Sequence, residues 1–270
     1  MTTDISSVLT PACLKEVRDF WFEHLPHDDE LIVPGKTANA RWWAGGSEFD
    51  TLCAQRFAPT LEGIKASGVT SGVDLLAACP PQEPCDWLSL LLLLDQLPRN
   101  IYRGDAARAV FTVFDPLAEE VAQEAIAAGV PDEEAEVRWQ FGYRLWFYMP
   151  LEHSEKLAVH DLALRKFEQL GRDVELLLRS GDEEEEGAKV GESEYRARAR
   201  EVVRADPEAA RAFVGLQLDF EKRHQAIIRR FGRYPHRNAP LGRESTAEER
   251  EYLASGGETF AAPKEEGEKS

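Results

Sequence analysis

The chain has 270 residues, of which 43% are hydrophobic and 30% are charged, and its formal net charge is −17. This length and composition predict a folded domain that can bury one sizeable core. The negative charge argues against a nucleic-acid partner, because phosphate binding needs a basic face. The longest apolar run, residues 90–94, is too short to span a bilayer, so the sequence predicts no membrane partner.

The cysteines and the N-terminus indicate a cytoplasmic location. No Cys-x-x-Cys pair occurs, and in a chain of this size isolated cysteines are typical of reduced thiols that pack as small apolar groups. Residues 1–7 lack the basic-then-apolar order of a signal peptide.

Nearly every periodic segment has the period of a helix. Helix starts are predicted at Thr10–Pro11, Ser47, Asp86, Asp115–Pro116, Ser154, Asp206–Pro207 and Ser245. Helix ends are predicted at Leu97, Gly129, Leu170 and Gly232. Residues 41–43 are predicted to form a loop, Pro59 to kink or divide the second helix, and Pro98 to stop the Leu-rich helix.

The sequence therefore predicts an all-α fold of antiparallel helices stacked in layers, because strand signals are nearly absent. We expect one helical domain over residues 1–260. Within it, an acidic and Gly-bearing stretch near residues 180–194 is predicted to be an exposed loop. Residues 261–270 are predicted to form a disordered acidic tail.

Two predicted helix ends have the same design, a proline close to an Arg-Asn pair. The first follows the Leu-rich helix, and the second follows the long helix that ends near Gly232. Arginine forms bidentate pairs with carboxylate or phosphate, so two such ends suggest one shared polar cluster. We predict a ligand-binding site that includes Asp95, Arg99, Arg103, Arg233, His236 and Arg237.

A second segment contributes His153 and Glu155 to the predicted site. A histidine between two glutamates can act as a general base or bind a metal. Alternatively, the segment caps a helix: Ser154 or His153 closes the turn, and the helix dipole favours Glu155. Both interpretations stay open from the sequence.

Several chemistries are excluded by missing motifs. The sequence has no Gly-x-Ser-x-Gly elbow, no phosphate-binding glycine loop and no His-Glu-x-x-His. Glu221 and His224 have the spacing of a carboxylate-bridged di-metal bundle, but such bundles need that motif twice. We therefore predict neither a metal nor another cofactor.

The chain resembles a family of bacterial and fungal proteins known as domain of unknown function 924. The motifs that carry this resemblance are DQLPRN at 95–100, YRG at 102–104, HSE at 153–155, RFGRYPHRN at 230–238, and LGR at 241–243 with ST at 245–246 and EE at 248–249. They span roughly residues 20–260 in the same order. Two segments depart from the family pattern, around residues 181–204 and 79–84. The resemblance implies a tetratricopeptide-like helical fold and no established activity, ligand or catalytic residue.

Three functions remain open from the sequence. The first is binding of a small anionic ligand or a peptide carboxylate in a pocket lined by arginine and histidine. The second is a hydrolase-type enzyme with His153 or His236 as acid or base. The third is a structural or partner-binding scaffold in which the charged cluster is a buried lock. The sequence does not indicate an oligomeric state.

Overall fold

The described part of this computed structural model, residues 3–179 and 192–260, consists of helices joined by short turns. It contains no strand, and the all-α prediction is confirmed. The first helices are α1 (Pro11–Phe22), α2 (Lys36–Ala44), α3 (Gly46–Ser67), α4 (Gly72–Ala78), α5 (Pro84–Leu91), α6 (Leu97–Ile101), α7 (Asp115–Ala127), α8 (Val130–Glu133), α9 (Ala135–Arg138), α10 (Phe141–Arg144) and α11 (Met149–Glu152). They are followed by α12 (Leu157–Arg179), α13 (Glu192–Ala205), α14 (Pro207–Phe231), α15 (Asn238–Leu241) and α16 (Ala247–Ala254). Shorter 3-10 turns occupy Ile5–Ser7, Asp28–Leu31, Gly104–Ala107, Leu145–Phe147 and Pro235–Arg237.

The predicted start of α1 and both predicted ends of α14 are confirmed. The Thr10 hydroxyl accepts a hydrogen bond from the Cys13 amide at 3.2 Å, and Pro11 opens the helix. Asp206 caps α14 in the same way. Gly232 ends α14 with φ of 70°, a left-handed conformation that glycine adopts without strain.

Other predicted boundaries are wrong. Residues 41–43 belong to α2 rather than to a loop, because Trp42 is buried and donates to the Trp21 carbonyl at 3.0 Å. Pro59 does not divide α3, since it lies on the exposed side, where water can satisfy the Gln55 carbonyl that loses its partner.

Three further boundaries are displaced along the chain. Helix α3 begins at Gly46 rather than after a Ser47 cap. Helix α12 continues past Leu170 to Arg179. The last helix is capped by Thr246, whose side chain and that of Glu249 form the capping box one residue later than predicted.

The Leu-rich segment forms the centre of the core. Residues 90–94 are all leucine, and each is at most 1% exposed. A helix that is apolar all round must be surrounded by other elements, and α1, α3 and α7 pack against this segment. Asp95, the first polar residue after these leucines, is therefore held inside the protein, where it is 1% exposed.

In two places a π-turn lies shortly before a proline, and the helix continues through that proline. Leu92–Gln96 is a π-turn in which the Leu97 amide donates to the Leu92 carbonyl, and Pro98 follows directly. Pro98 therefore does not stop the helix, because the wider turn relieves the clash between the proline ring and the preceding carbonyls. The helix ends only at Ile101.

The second π-turn, Val110–Phe114, precedes Asp115 and Pro116 in the same way. Asp115 and Pro116 therefore begin α7, but Asp115 does not cap it, since the helical turns of residues 108–114 lead directly into them. The Asp115 carboxylate is free from a capping role and accepts a hydrogen bond from another helix.

One main hydrophobic core extends from Ile5 to Val214, as expected for a single domain. The predicted acidic loop falls outside the described residues up to residue 191, and α13 begins at Glu192. The predicted tail over residues 261–270 also lies outside the described residues. Tetratricopeptide-like stacking stays a prediction. Every helix of the described ranges is too short or too polar to cross a bilayer.

Candidate functional site

The two predicted helix ends meet at a buried group of charged residues. We call Asp95, Arg99, Asp115, His153 and Arg237 the Arg-His cluster. The Asp95 carboxylate contacts His153 Nδ1 at 2.6 Å and accepts from Arg99 at 3.1 Å. Because Asp95 belongs to a π-turn and His153 directly follows α11, helix geometry fixes both side chains.

Arg99 connects the two carboxylates of the cluster. It donates to Asp115 Oδ1 at 2.6 Å as well as to Asp95. Although burial favours the neutral form of a guanidinium, Asp115 and Asp95 raise the pKa of Arg99. His153 and Arg99 together hold the pKa of Asp95 well below its usual range, despite its burial. Arg99 thus pairs with both carboxylates through its NH2 atom, whereas its buried Nε makes no hydrogen bond within the described residues.

Arg237 is held differently. Its guanidinium lies between two aromatic rings, 4.6 Å from the centre of Phe111 and 4.5 Å from that of Tyr234. Its NH1 atom is 3.3 Å from Asp115 Oδ2, but within the described residues the side chain makes no hydrogen bond, and its buried Nε has no partner. Burial lowers the pKa of Arg237, and the positive charge of Arg99 lowers it further.

His236 and Glu155 border the Arg-His cluster on the side of Tyr234. The His236 ring is 5.5 Å from the Tyr234 ring, and its buried Nδ1 atom has no hydrogen-bond partner. Burial, Arg237 and Arg99 lower the pKa of His236 to about 3, so the ring is neutral. Glu155 is satisfied by the Tyr234 amide at 2.9 Å and by two donors of Arg243, at 2.7 and 3.0 Å.

A second polar group lies behind Tyr234, and we call Glu152 and Glu221 the buried glutamate pair. Glu152 is 1% exposed and Glu221 is fully buried. Glu221 Oε1 is 3.0 Å from His160 Nδ1, but Glu221 Oε2 and Glu152 Oε1 have no hydrogen-bond partner. Burial raises the pKa of Glu152 well above its usual value, and the charges of Glu221 and Asp95 add to this effect.

His224 lies next to the buried glutamate pair. Its Nδ1 atom is 2.9 Å from the Phe220 carbonyl and 3.7 Å from Glu152 Oε2. Since a carbonyl can only accept, Nδ1 carries the proton, and a neutral ring then has its lone pair at Nε2. Burial keeps the ring neutral by lowering the pKa of His224 well below its usual value. The ring of Phe260 stacks on His224, with centroids 3.5 Å apart.

A family comparison matches residues 17–257 to the model described as "Bacterial protein of unknown function (DUF924)". The chain belongs to this family. The chain is also similar to a solved structure, described as a protein of unknown function from Agrobacterium tumefaciens, with 26% sequence identity and a TM-score of 0.57. That similarity covers 90% of this chain and 98% of the other chain. No curated protein matches the chain.

The family assignment confirms the resemblance stated from the DUF924 motifs, and the function of the family is unknown. Of the site residues predicted from these motifs, Asp95, Arg99, His153 and Arg237 are brought together. Glu155 and His236 lie beside them.

Two residues of the predicted site, Arg103 and Arg233, lie outside the Arg-His cluster in this DUF924 structure and pair with other carboxylates. Arg103 is half exposed and pairs with Asp50, with nitrogen–oxygen distances of 2.9 Å. Arg233 pairs with Glu249 at 2.7 and 2.9 Å.

Sequence reasoning missed Asp115, Tyr234 and the role of Glu152. Asp115 precedes a proline, which is also the signature of a helix start, so its sequence context favoured a cap. Glu221 and His224 have a metal-like spacing, which does not indicate that both are buried close to Glu152. No group of three or more His, Cys, Asp or Glu side chains in residues 3–179 and 192–260 could hold a metal ion.

The arrangement has two chemical capacities. Arg237 and His236 lie on the same side of the cluster as Tyr234, and Arg237 offers unused donors in a fixed plane. Burial and Arg99 lower the pKa of His153 although Asp95 raises it, and with Nδ1 directed at Asp95 a neutral ring has an Nε2 atom able to accept a proton.

Proposed function

We propose that the chain binds a small anionic ligand, or the carboxylate of a peptide, at the Arg-His cluster. One observation carries the proposal: Arg237 is 5% exposed and yet makes no hydrogen bond within the described residues. A buried charged group without hydrogen bonds is costly, and native proteins retain one mainly where a ligand or solvent completes it.

The surroundings of Arg237 favour an anion as that ligand. Stacking between Phe111 and Tyr234 fixes the plane of the guanidinium, so an oxyanion can form two parallel hydrogen bonds without further ordering of the side chain. The carboxylate nearest to Arg237, that of Asp115, is shared: its Oδ1 atom accepts from Arg99 at 2.6 Å, and its Oδ2 atom lies 3.3 Å from Arg237 NH1 without a hydrogen bond. Two guanidinium groups therefore face this one carboxylate.

Anion binding can be tested by thermal unfolding with increasing acetate or inorganic phosphate, at an ionic strength kept constant with chloride. We expect a saturable rise in Tm for the unmodified protein, because a ligand that binds only the folded state stabilises it. Arg237→Met should abolish the rise while preserving contact with the two aromatic rings. The matched control is Arg103→Met, which removes an arginine paired with Asp50 outside the cluster and should leave the rise unchanged. An equal response of Arg237→Met and the unmodified protein rules out the proposal.

A hydrolase is a second candidate, favoured by the 2.6 Å contact between His153 Nδ1 and Asp95. A base oriented by a buried carboxylate is the arrangement that activates water for attack on an ester. The test is turnover of p-nitrophenyl acetate and p-nitrophenyl phosphate, which His153→Gln should abolish. Absence of turnover by the unmodified protein rejects this candidate for ester substrates. The scaffold alternative requires that the cluster be a structural lock, and stability measurements on Arg99 and Arg237 test it.

The acidic composition further supports a small molecule or peptide rather than nucleic acid as partner. We also infer a cytoplasmic location, since Cys13, Cys53, Cys79 and Cys85 are all free thiols.

A further inference from the structure

The buried glutamate pair and Arg237 leave opposite kinds of hydrogen-bonding group unused. Arg237 itself has an unused donor, the buried and unpartnered Nε, although the unpartnered Oδ2 atom of Asp115 lies 3.3 Å from its NH1 atom. Around Glu152 the unused groups are acceptors: Glu152 Oε1 and Glu221 Oε2 are buried and unpartnered, and the neutral His224 ring has its lone pair at Nε2. A group that completes the first set must accept hydrogen bonds, and one that completes the second must donate them.

An organic ammonium group fits the acceptor set. It has three donors and no acceptor, so it can satisfy carboxylate oxygens and an imidazole lone pair together. Aromatic rings beside it add cation–π attraction, and Tyr234 and Phe260 both lie against His224, with ring centroids 6.0 and 3.5 Å away.

Tyr234 connects the two sets. The Arg237 guanidinium lies 4.5 Å from its ring centre, and its hydroxyl donates to the Glu152 backbone carbonyl at 2.5 Å. The Tyr234 side chain therefore lies between Arg237 and the backbone of Glu152. This arrangement suits a single small molecule that carries both charges.

We propose that the ligand of this protein is a zwitterion, whose anionic group binds Arg237 and whose ammonium group binds Glu152 and His224. This inference rests on the proposed anion site and adds the chemical class of the ligand. It assigns a binding role to Glu152, which contacts neither Arg99 nor Arg237 and has no part in anion binding itself.

The chain segment that ends at Phe260 covers His224 and is held by few bonds. Glu258 pairs with Arg223 at 2.5 Å, and its carbonyl accepts from Tyr252 at 3.3 Å. Phe260 has φ of 53°, a left-handed conformation that is strained for a residue other than glycine. We infer that this segment opens to admit the ammonium group, because opening releases the strain, although it breaks these contacts and the stacking of Phe260 on His224.

The test compares ligands that carry one or both charges, by isothermal titration of the full chain. The zwitterions are glycine, 4-aminobutyrate and 6-aminohexanoate, which differ in the separation of their charges, and the single-charge probes are butyrate and butylamine. We expect at least one zwitterion to bind about tenfold more tightly than butyrate, the effect of one or more charge-assisted hydrogen bonds. Glu152→Gln should remove this gain and leave the affinity for butyrate unchanged. The control is Glu208→Gln, a change on the exposed surface of α14.

Each outcome separates this inference from the proposed function. If butyrate binds and no zwitterion binds more tightly, the anion site stands and the ammonium site is rejected. If the gain survives Glu152→Gln, the ammonium group binds elsewhere and the inference is also rejected. If neither butyrate nor any zwitterion binds, both proposals fail. Phe260→Ala, which removes the cover of His224, should speed association of the zwitterion, and an unchanged association rate contradicts the role of the C-terminal segment.

Discussion

The NH1 atom of Arg237 lies 3.3 Å from the Oδ2 atom of Asp115, and the two atoms form no hydrogen bond. The same carboxylate accepts a hydrogen bond from Arg99 at 2.6 Å. Two arginines thus approach one aspartate, and only one of them is satisfied by it. This asymmetry distinguishes an arginine that stabilises the fold from one that is available to a ligand, and the distinction can be measured.

Substitution of Arg99 and of Arg237 should affect stability in different ways. Arg99→Ala removes the partner of Asp95 and Asp115, and a stranded buried carboxylate typically reduces the unfolding free energy by about 3–5 kcal/mol. For a chain of this size, Tm should fall on the order of ten degrees. Arg237→Met should leave stability unchanged or raise it, since it removes a buried charge that has no hydrogen bond. Urea unfolding of both variants measures the difference, and an equal large loss in both would support the scaffold alternative.

Glu152→Gln should stabilise the protein increasingly as pH rises. A carboxyl whose pKa is raised by folding binds its proton more tightly in the folded state, so its contribution is favourable at low pH. That contribution is lost as pH rises from the unfolded value of 4.5 to the higher folded value. Over this interval the variant should gain about 1.4 kcal/mol per pH unit relative to the unmodified protein.

The charged and titratable groups that act on Glu152 are Glu221, Asp95, Arg223 and His224. The control for this experiment is Glu155→Gln, for which we expect the pH dependence of the unfolding free energy to have the opposite sign. Arg243 and the Tyr234 amide lower the pKa of Glu155 despite its partial burial, so its contribution is present above pH 4.5 and is lost as pH falls. Parallel pH profiles of the two variants would contradict the assignment of Glu152.

Arg144 should be a structural lock. Its side chain is fully buried and pairs with Asp132 at 2.7 Å and Asp173 at 2.6 Å, and its Nε donates to the Tyr148 hydroxyl at 2.8 Å. Arg144→Met leaves two carboxylates with fewer partners, and we expect a loss of about 3–5 kcal/mol in unfolding free energy. Arg211→Met, which removes an exposed pair with Glu175, should leave the denaturant midpoint nearly unchanged. A midpoint for Arg144→Met close to that of the control contradicts the lock.

Two glycines in helices should respond oppositely to alanine. In Gly72, a Cβ atom would lie 2.9 Å from the Leu117 carbonyl oxygen and 2.7 Å from Glu120 Cβ, so Gly72→Ala should destabilise the contact between α4 and α7 by about 1–3 kcal/mol. Gly171 lies within α12, and a Cβ atom there would meet nothing within 4 Å. Gly171→Ala should therefore raise the unfolding free energy by about 0.5–1 kcal/mol. Thermal unfolding of the pair checks both signs.

Local sequence signals were sufficient for the fold class and for part of the cluster. Caps such as Thr10 and Asp206 act within one turn, so their sequence context determines them. The spacing of four residues places Asp95 and Arg99 on one helix face. Arg103 has the same spacing, but α6 ends at Ile101, and the extended backbone at Tyr102 directs Arg103 away.

The remaining residues depend on contacts between distant segments. Arg233 pairs with Glu249 of the last helix, and Asp115 joins the cluster through Arg99 of another helix. Packing between distant segments determines these partners, and it produces no periodic pattern in the sequence. Glu152 is a further case, because the unpartnered state of its Oε1 atom follows from the burial of α11 against α7, α12 and α14 rather than from its neighbours along the chain.

The two π-turns make the cluster sensitive to chain length rather than to side-chain identity. Each holds one residue more per turn than an α-helix, and one contains Asp95 while the other directly precedes Asp115. Deleting any single residue from either turn would rotate its aspartate by roughly 100° around the helix axis, away from Arg99. The leucines of the first turn can be exchanged for other apolar residues without moving Asp95, whereas a one-residue deletion cannot be repaired by any substitution nearby.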